Sequence, residues 1–181
     1  MLAWHIFVLL NGSFGIGKTT TAKLLLRAVP GAAISDPEHV GYMLRRLPAF
    51  ALGLRRQPAD YQDMVLWRRL IVTQARWVRR RCDVVIIPMA FTNRDYRVGF
   101  EGALTATAPV TRLCLVAPLD VVRSRLQRRA LNEERQGLTE FELRRSEECV
   151  VAHSDPFFGA PVDATASPDA VIAEIRALID R

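Results

Sequence analysis

Lys18 and Thr19 are the residues whose types and spacing most plainly suggest chemistry. They close the run Gly12-Ser13-Phe14-Gly15-Ile16-Gly17-Lys18-Thr19, which matches G-x-x-x-x-G-K-[ST]. Glycine at 12 and 17 lets the backbone turn where a side chain would clash, and Gly15 is expected to let a phosphate approach closely. The N–H groups of such a loop point inward and form an anion-binding concavity. A following helix adds its N-terminal partial charge. Gly12, Ser13, Phe14, Gly15, Ile16, Gly17, Lys18, Thr19 and Thr20 are therefore the candidate nucleotide-binding residues. Lys18 would reach the β- and γ-phosphates and the Thr19 hydroxyl would ligate Mg²⁺, which makes ATP and Mg²⁺ the expected ligands. The composition sharpens the point, since Lys18 and Lys23 are the only lysines beside 23 arginines.

The motif needs a strand before it and a helix after it. Met1 to Leu10 reads as a strand, with Ile6 to Leu10 fully apolar, and Gly17 to Ala28 reads as a helix. Further strands are expected at 32–35, 84–87, 112–116 and 160–163. Helices are expected between them, including a long one over 60–81 whose Met64, Trp67, Ile71, Ala75 and Val78 keep helical spacing. Thr92-x-x-Asp95 and Thr139-x-x-Glu142 resemble capping boxes, and Ser167-Pro168-Asp169 reads as a helix start. The stretch 47–59, rich in Pro, Gly and Arg, reads as a loop. Strands alternating with helices predict an α/β fold with a parallel sheet covered on both faces. Ligands of such sheets sit beyond the carboxyl ends of the strands.

That placement selects Asp36, which follows the second strand. An acceptor hydroxyl losing its proton during phosphoryl transfer needs a base or orienting group there. Asp36-Pro37-Glu38 is equally a good helix start, and one residue can do both. Glu38 is a second candidate on the acceptor side. Arg125 and Arg129, four apart on one helix face, could stabilise charge on a transferring phosphoryl group. The polar stretch after them is lid-like, which puts a substrate-closing segment at about 125–150; a solvated basic face accounts for the same arginines. The strand at 84–87 ends in Pro88, with Asp83 at its start, the wrong end for holding Mg²⁺ on phosphates. With no Asn-Lys-x-Asp present either, a GTPase or motor ATPase is disfavoured.

With 181 residues, half of them apolar and 24% charged, the chain suits one globular domain over 1–181. No apolar run is long enough to span a bilayer. The short apolar N-terminus runs straight into the loop and lacks a basic leader, so it reads as a strand and not a signal peptide. Three scattered cysteines suggest reduced thiols and a cytoplasmic setting. The net charge of +6 favours anionic partners. Because the basic residues lack interleaved aromatics, a small phosphorylated ligand is expected and no nucleic acid.

These residues carry a resemblance. Asn11 to Thr21, Ser35-Asp36-Pro37-Glu38 with Gly41, Leu66-Trp67-Arg68 and Ile87-Pro88-Met89 resemble the tunicamycin-resistance proteins, of the nucleoside-monophosphate-kinase-like branch of P-loop kinases. The resemblance runs through most of the chain. It implies a three-layer P-loop sandwich with a five-stranded parallel sheet, an ATP site and a helical lid whose entrance carries Arg125 and Arg129. It implies transfer of phosphate to a hydroxyl of tunicamycin or a related nucleoside-sugar compound, with Asp36 against the acceptor. On that reading Trp67 and Arg68 become an acceptor-side pair, while helical spacing alone would put Trp67 in the core. A kinase of an ordinary metabolite, or a nucleotide-dependent protein that sequesters the drug without chemistry, fits the same residues. Near the last strand, Asp163, Thr165 and Ser167 are possible adenine contacts. His5, His39 and His153 have no metal-ligand spacing.

Overall fold

In the computed structural model, residues 5–56, 58 and 60–180 are described. Five strands form one sheet: β1 (Ile6–Gly12), β2 (Ala32–Ile34), β3 (Val84–Pro88), β4 (Val110–Val116) and β5 (Ala160–Asp163). Their order is β2-β3-β1-β4-β5, and every pairing is parallel. The helices are α1 (Lys18–Ala28), α2 (Pro37–Arg45), α3 (Val65–Arg79), α4 (Arg94–Thr105), α5 (Leu119–Asn132), α6 (Glu140–His153) and α7 (Pro168–Ile179).

Side chains alternate across a strand, so β1 feeds two apolar layers at once. Phe7 and Leu9 pack with Val40 and Leu44 of α2, Trp67 and Ile71 of α3, and Phe100 and Leu104 of α4. Val8 and Leu10 pack with Ala22 and Leu25 of α1, Val122 and Leu126 of α5, and Val171 and Ile175 of α7. The apolar face of α7 thus lies on the sheet. Helix α6 contributes to both layers, through Ala152 to the first and Val150 to the second. The central strand, buried on both sides, carries the glycine loop at its carboxyl end.

Several boundaries differ from the sequence reading. The first strand begins at Ile6, and positions 1–4 of the expected strand lie outside the described residues. The helix expected over 60–81 is split. Tyr61–Asp63 is a 3-10 turn capped by Asp60, Met64 is extended, and α3 starts at Val65. Gln62 explains the break: its Nε2 donates to the Ala90 carbonyl at 3.0 Å and draws the turn onto the end of β3. The cap of α4 is Asn93, which accepts from the Tyr96 N–H at 3.0 Å; Thr92 instead accepts from Arg145. Thr139 and Glu142 do form a capping box. The loop expected at 47–59 contains a 3-10 turn, Ala49–Leu52.

Candidate active site

The loop after β1 turns on three glycines in the left-handed half of backbone space, Gly12 (φ 153°), Gly15 (φ 74°) and Gly17 (φ 110°). Gly15 also answers a packing demand. A Cβ there would lie 2.5 Å from Cγ of Leu126, so this glycine seats the loop on α5. Asn11, fully buried, ties the strand end to the loop after β3. Its Oδ1 accepts from Phe91 N at 2.9 Å and its Nδ2 donates to Phe91 O at 3.2 Å. The half-buried Lys18 ammonium donates to the carbonyls of Gly12 at 2.9 Å and Ser13 at 2.8 Å. Burial lowers its pKa to about 8, opposed by the nearby Cys149 thiol and Glu38 carboxylate. Thr19 and Thr20 are exposed at the head of α1.

A cavity of about 220 Å³ opens beside this loop. Phe14, Lys18 and Thr19 form one wall, Asp36, Glu38, Tyr42 and Arg45 of the α2 segment a second, and Asp60, Tyr61, Gln62 and Trp67 a third. Asp36 caps α2 through Oδ1, which accepts from Glu38 N at 2.9 Å. No described residue bonds its Oδ2, so the capping role leaves one carboxylate oxygen for the cavity. Trp67 is buried, its Nε1 donates to the Pro37 carbonyl at 3.2 Å, and its ring stacks on Tyr61. Both readings of Trp67 therefore meet in one side chain, which packs in the core and lines the cavity. The Arg45 guanidinium lies 4.3 Å from the centre of the Tyr61 ring, a cation–π distance. Gly41 makes room for that ring, because a Cβ there would lie 2.7 Å from it. Arg68 faces away, donating to the Gln62 carbonyl and lying over Tyr96 at 4.1 Å. His39 is exposed and outside the cavity.

The α5–α6 hairpin packs against the glycine loop. Phe141, near the start of α6, meets Phe14 edge to face at 5.7 Å and lines the cavity. Arg125 donates to the carbonyls of Ile16 at 2.7 Å and Ala164 at 2.8 Å, bracing the glycine loop against the turn after β5. Arg129 pairs with Glu142 at 2.9 Å. Glu142, nearly buried, also takes Arg135 at 2.9 and 3.0 Å and the Thr139 N–H. Hydrogen bonds from Arg135 hold its carboxyl down at about 2, against the opposing effect of burial. A second, mainly apolar cavity of about 260 Å³ lies between Ser13, Ala117, Pro118, His153 and Asp163. Thr165 donates to Asp163, and Ser167 caps α7. His153 is buried with Nε2 at 2.8 Å from the Phe91 carbonyl, and burial pushes its pKa down to about 4.

A family model described as an AAA domain matches residues 7–148. The chain belongs to that family. The fold of this AAA-domain chain is that of P-loop kinases. Its structure is similar to that of the tunicamycin resistance protein of Deinococcus radiodurans, with a TM-score of 0.73 and 24% identity over 96% of this chain and 94% of that one. It is also similar to a gluconokinase from Sinorhizobium meliloti (TM-score 0.67, 16% identity, 98% and 93% covered). A shikimate kinase from Bacteroides thetaiotaomicron is a further likeness (TM-score 0.56, 19% identity, 97% and 99% covered). Comparison with curated protein sequences finds no match.

Seven cavity residues of this AAA-domain chain escape the sequence reading: Tyr42, Arg45, Asp60, Tyr61, Gln62, Ala90 and Phe141. Two carried a usable signal. Tyr42 and Arg45 stand four and seven positions after Glu38, so the helix that faces Glu38 to the site also faces them. Tyr61 is hidden by the period of the following helix, which runs back over it. Phe141 gives no sign, because its position depends on how far α6 folds back over the loop.

Proposed function

We propose that the protein transfers the γ-phosphoryl group of ATP to a hydroxyl of a small acceptor held in the 220 Å³ cavity. The observation that carries this is the meeting of Lys18 and Thr19 with Asp36 in one cavity whose far wall is aromatic. Lys18 already lies against the carbonyls of its own loop and carries a cation suited to β- and γ-phosphate oxygens. The fit for Mg²⁺ is of the hydrated kind. Among the described residues no cluster of three His, Cys, Asp or Glu is arranged to hold a metal. The ion would rest on the Thr19 hydroxyl, phosphate oxygens and water, where it supplies charge neutralisation. Asp36 Oδ2 orients the acceptor hydroxyl and takes its proton as oxygen bonds to phosphorus and the bridging P–O bond to the ADP leaving group breaks. Arg129, held by Glu142 and within electrostatic reach of Lys18, adds positive potential toward the transferring group. Arg125 acts through its bracing of the loop.

The acceptor is of the tunicamycin class, a nucleoside-sugar compound. Tyr42 offers an exposed face on which a sugar or a base can stack, Tyr61 and Trp67 line the same cavity, and Glu38 and Arg45 offer polar ends. Mass spectrometry of tunicamycin after incubation with the protein and Mg-ATP tests this, with Lys18→Ala alongside. One added phosphoryl group, absent with the variant, is the expected result. Unmodified drug, with ATP binding intact, would overturn it. Faster transfer to gluconate or shikimate would reassign the protein to ordinary metabolites, the reading that the fold likeness to such kinases favours.

A further inference from the structure

We propose that the segment from Tyr42 to Arg56, at the mouth of the acceptor cavity, docks the protein on an anionic bilayer surface. Three observations converge on it. The first is apolar exposure: Tyr42 is 58% exposed, Met43 60% and Phe50 82%, the last the most exposed large apolar side chain among the described residues. The second is rigidity. Phe50 sits on the 3-10 turn Ala49–Leu52, closed by backbone hydrogen bonds from Ala51 to Pro48, Gly53 to Phe50 and Leu54 to Ala49. Gly53 ends the turn in the left-handed region, and Leu52 and Leu54 pack back onto the core. The phenyl ring is thus held outward by a built turn, with its neighbours as anchors.

The third observation is charge. From His39 to Ala59 the chain has no Asp or Glu and four arginines, Arg45, Arg46, Arg55 and Arg56, all exposed. No described carboxylate pairs with any of the four. Elsewhere some arginines have carboxylate partners, as in Arg94 with Asp155, Arg123 with Glu147 and Arg144 with Glu148, and the patch stands apart in gathering four arginines without a carboxylate partner within residues 45–56. An uncompensated basic patch carrying apolar side chains on a fixed turn matches a surface of anionic headgroups over acyl chains. A protein partner would have to supply acidic groups matched in position to each arginine, whereas an anionic bilayer supplies charge and apolar depth together without fixed geometry. Because Tyr42 and Arg45 also line the cavity, docking would set the cavity mouth at the lipid surface.

Co-sedimentation with vesicles tests this without any turnover. Phosphatidylcholine vesicles are compared with vesicles that also contain phosphatidylglycerol, at low and high salt. The wild-type protein is expected to sediment with the anionic vesicles only, and less at high salt. Arg55→Glu with Arg56→Glu is expected to weaken partitioning by at least about 30-fold, from the usual contribution of a basic residue near an anionic surface. Met43→Asp with Phe50→Asp is expected to abolish it. Arg27→Glu with Arg176→Glu, on α1 and α7, changes net charge equally and is expected to leave binding in place. Unchanged thermal melting and nucleotide-analogue binding show that each variant is folded. No sedimentation of wild type, or equal loss in the α1–α7 control, would overturn the proposal. So would unchanged sedimentation of the Met43–Phe50 variant.

Discussion

The glycine loop of residues 12–19 and the wall of residues 36–67 share one cavity, yet they are held by different means. The loop is positioned by backbone conformation and buried anchors: three positive-φ glycines, Asn11 on Phe91, Arg125 on Ile16, and Leu126 filling the space beside Gly15. The proposed acceptor wall is positioned by side chains stacked in series, Arg45 on Tyr61, Tyr61 on Trp67 and Trp67 on Pro37, with Gly41 making the clearance. A phosphate presents the same oxygens in every nucleotide, so backbone donors suffice on that side. An acceptor varies, and side chains can vary with it while the loop stays as it is.

The contrast predicts that damage to the two walls separates in the kinetics. The largest effect expected is from Asp36→Asn. Asparagine caps a helix as well as aspartate, so stability should hold while kcat falls by about 10²–10⁴-fold. Unchanged kcat, with the melting temperature also held, would reduce Asp36 to its capping role. Gly15→Ala comes next. It forces a side chain into a left-handed backbone and into Leu126, and should cost about 3 kcal/mol of stability, read by denaturant unfolding. The same change at Gly41 disturbs only Tyr61 and should raise acceptor KM with nucleotide affinity intact.

A smaller effect is expected from pH. The Lys18 pKa is lowered to about 8, so its ammonium form is lost as pH rises through 8, and nucleotide affinity should then fall by up to about tenfold per pH unit. The sign for the unliganded fold is opposite. The charged form is disfavoured by burial, so stability should rise between about pH 8 and the ordinary lysine value of 10.5. Calorimetric titration and thermal melting across pH 7–11 check both. The smallest effect is Trp67→Phe, which keeps a ring against Tyr61 but removes the donor to Pro37, and should cost about 1 kcal/mol.

Much of this site is legible in the residues themselves. The order of strands and helices, the loop at the end of the central strand and the place of Asp36 follow from periodicity and from where Gly, Pro and capping residues stand. Asp36 is legible because a residue just past a parallel strand lies at the ligand edge whatever the strand order. Arg68 is not. It neighbours Trp67 in the chain, but successive helix positions point about 100° apart, so Trp67 enters the cavity while Arg68 swings to Tyr96. The split of the long helix was equally hidden, since Gln62 reaches 28 positions along the chain to Ala90, and no local pattern encodes that bond.

On its own, then, the sequence determined the fold class, the glycine loop with Lys18 and Thr19, and the carboxylate facing it. Those depend on local conformational preference and on alternation between buried faces. Only the tertiary structure decided that Gly15 serves Leu126, that Arg125 braces backbone and Arg129 is held by Glu142, and that Tyr61, Arg45 and Phe141 complete the cavity. These are contacts between elements far apart in the chain. They depend on crossing angles and side-chain volumes that appear only once the helices have packed on the sheet.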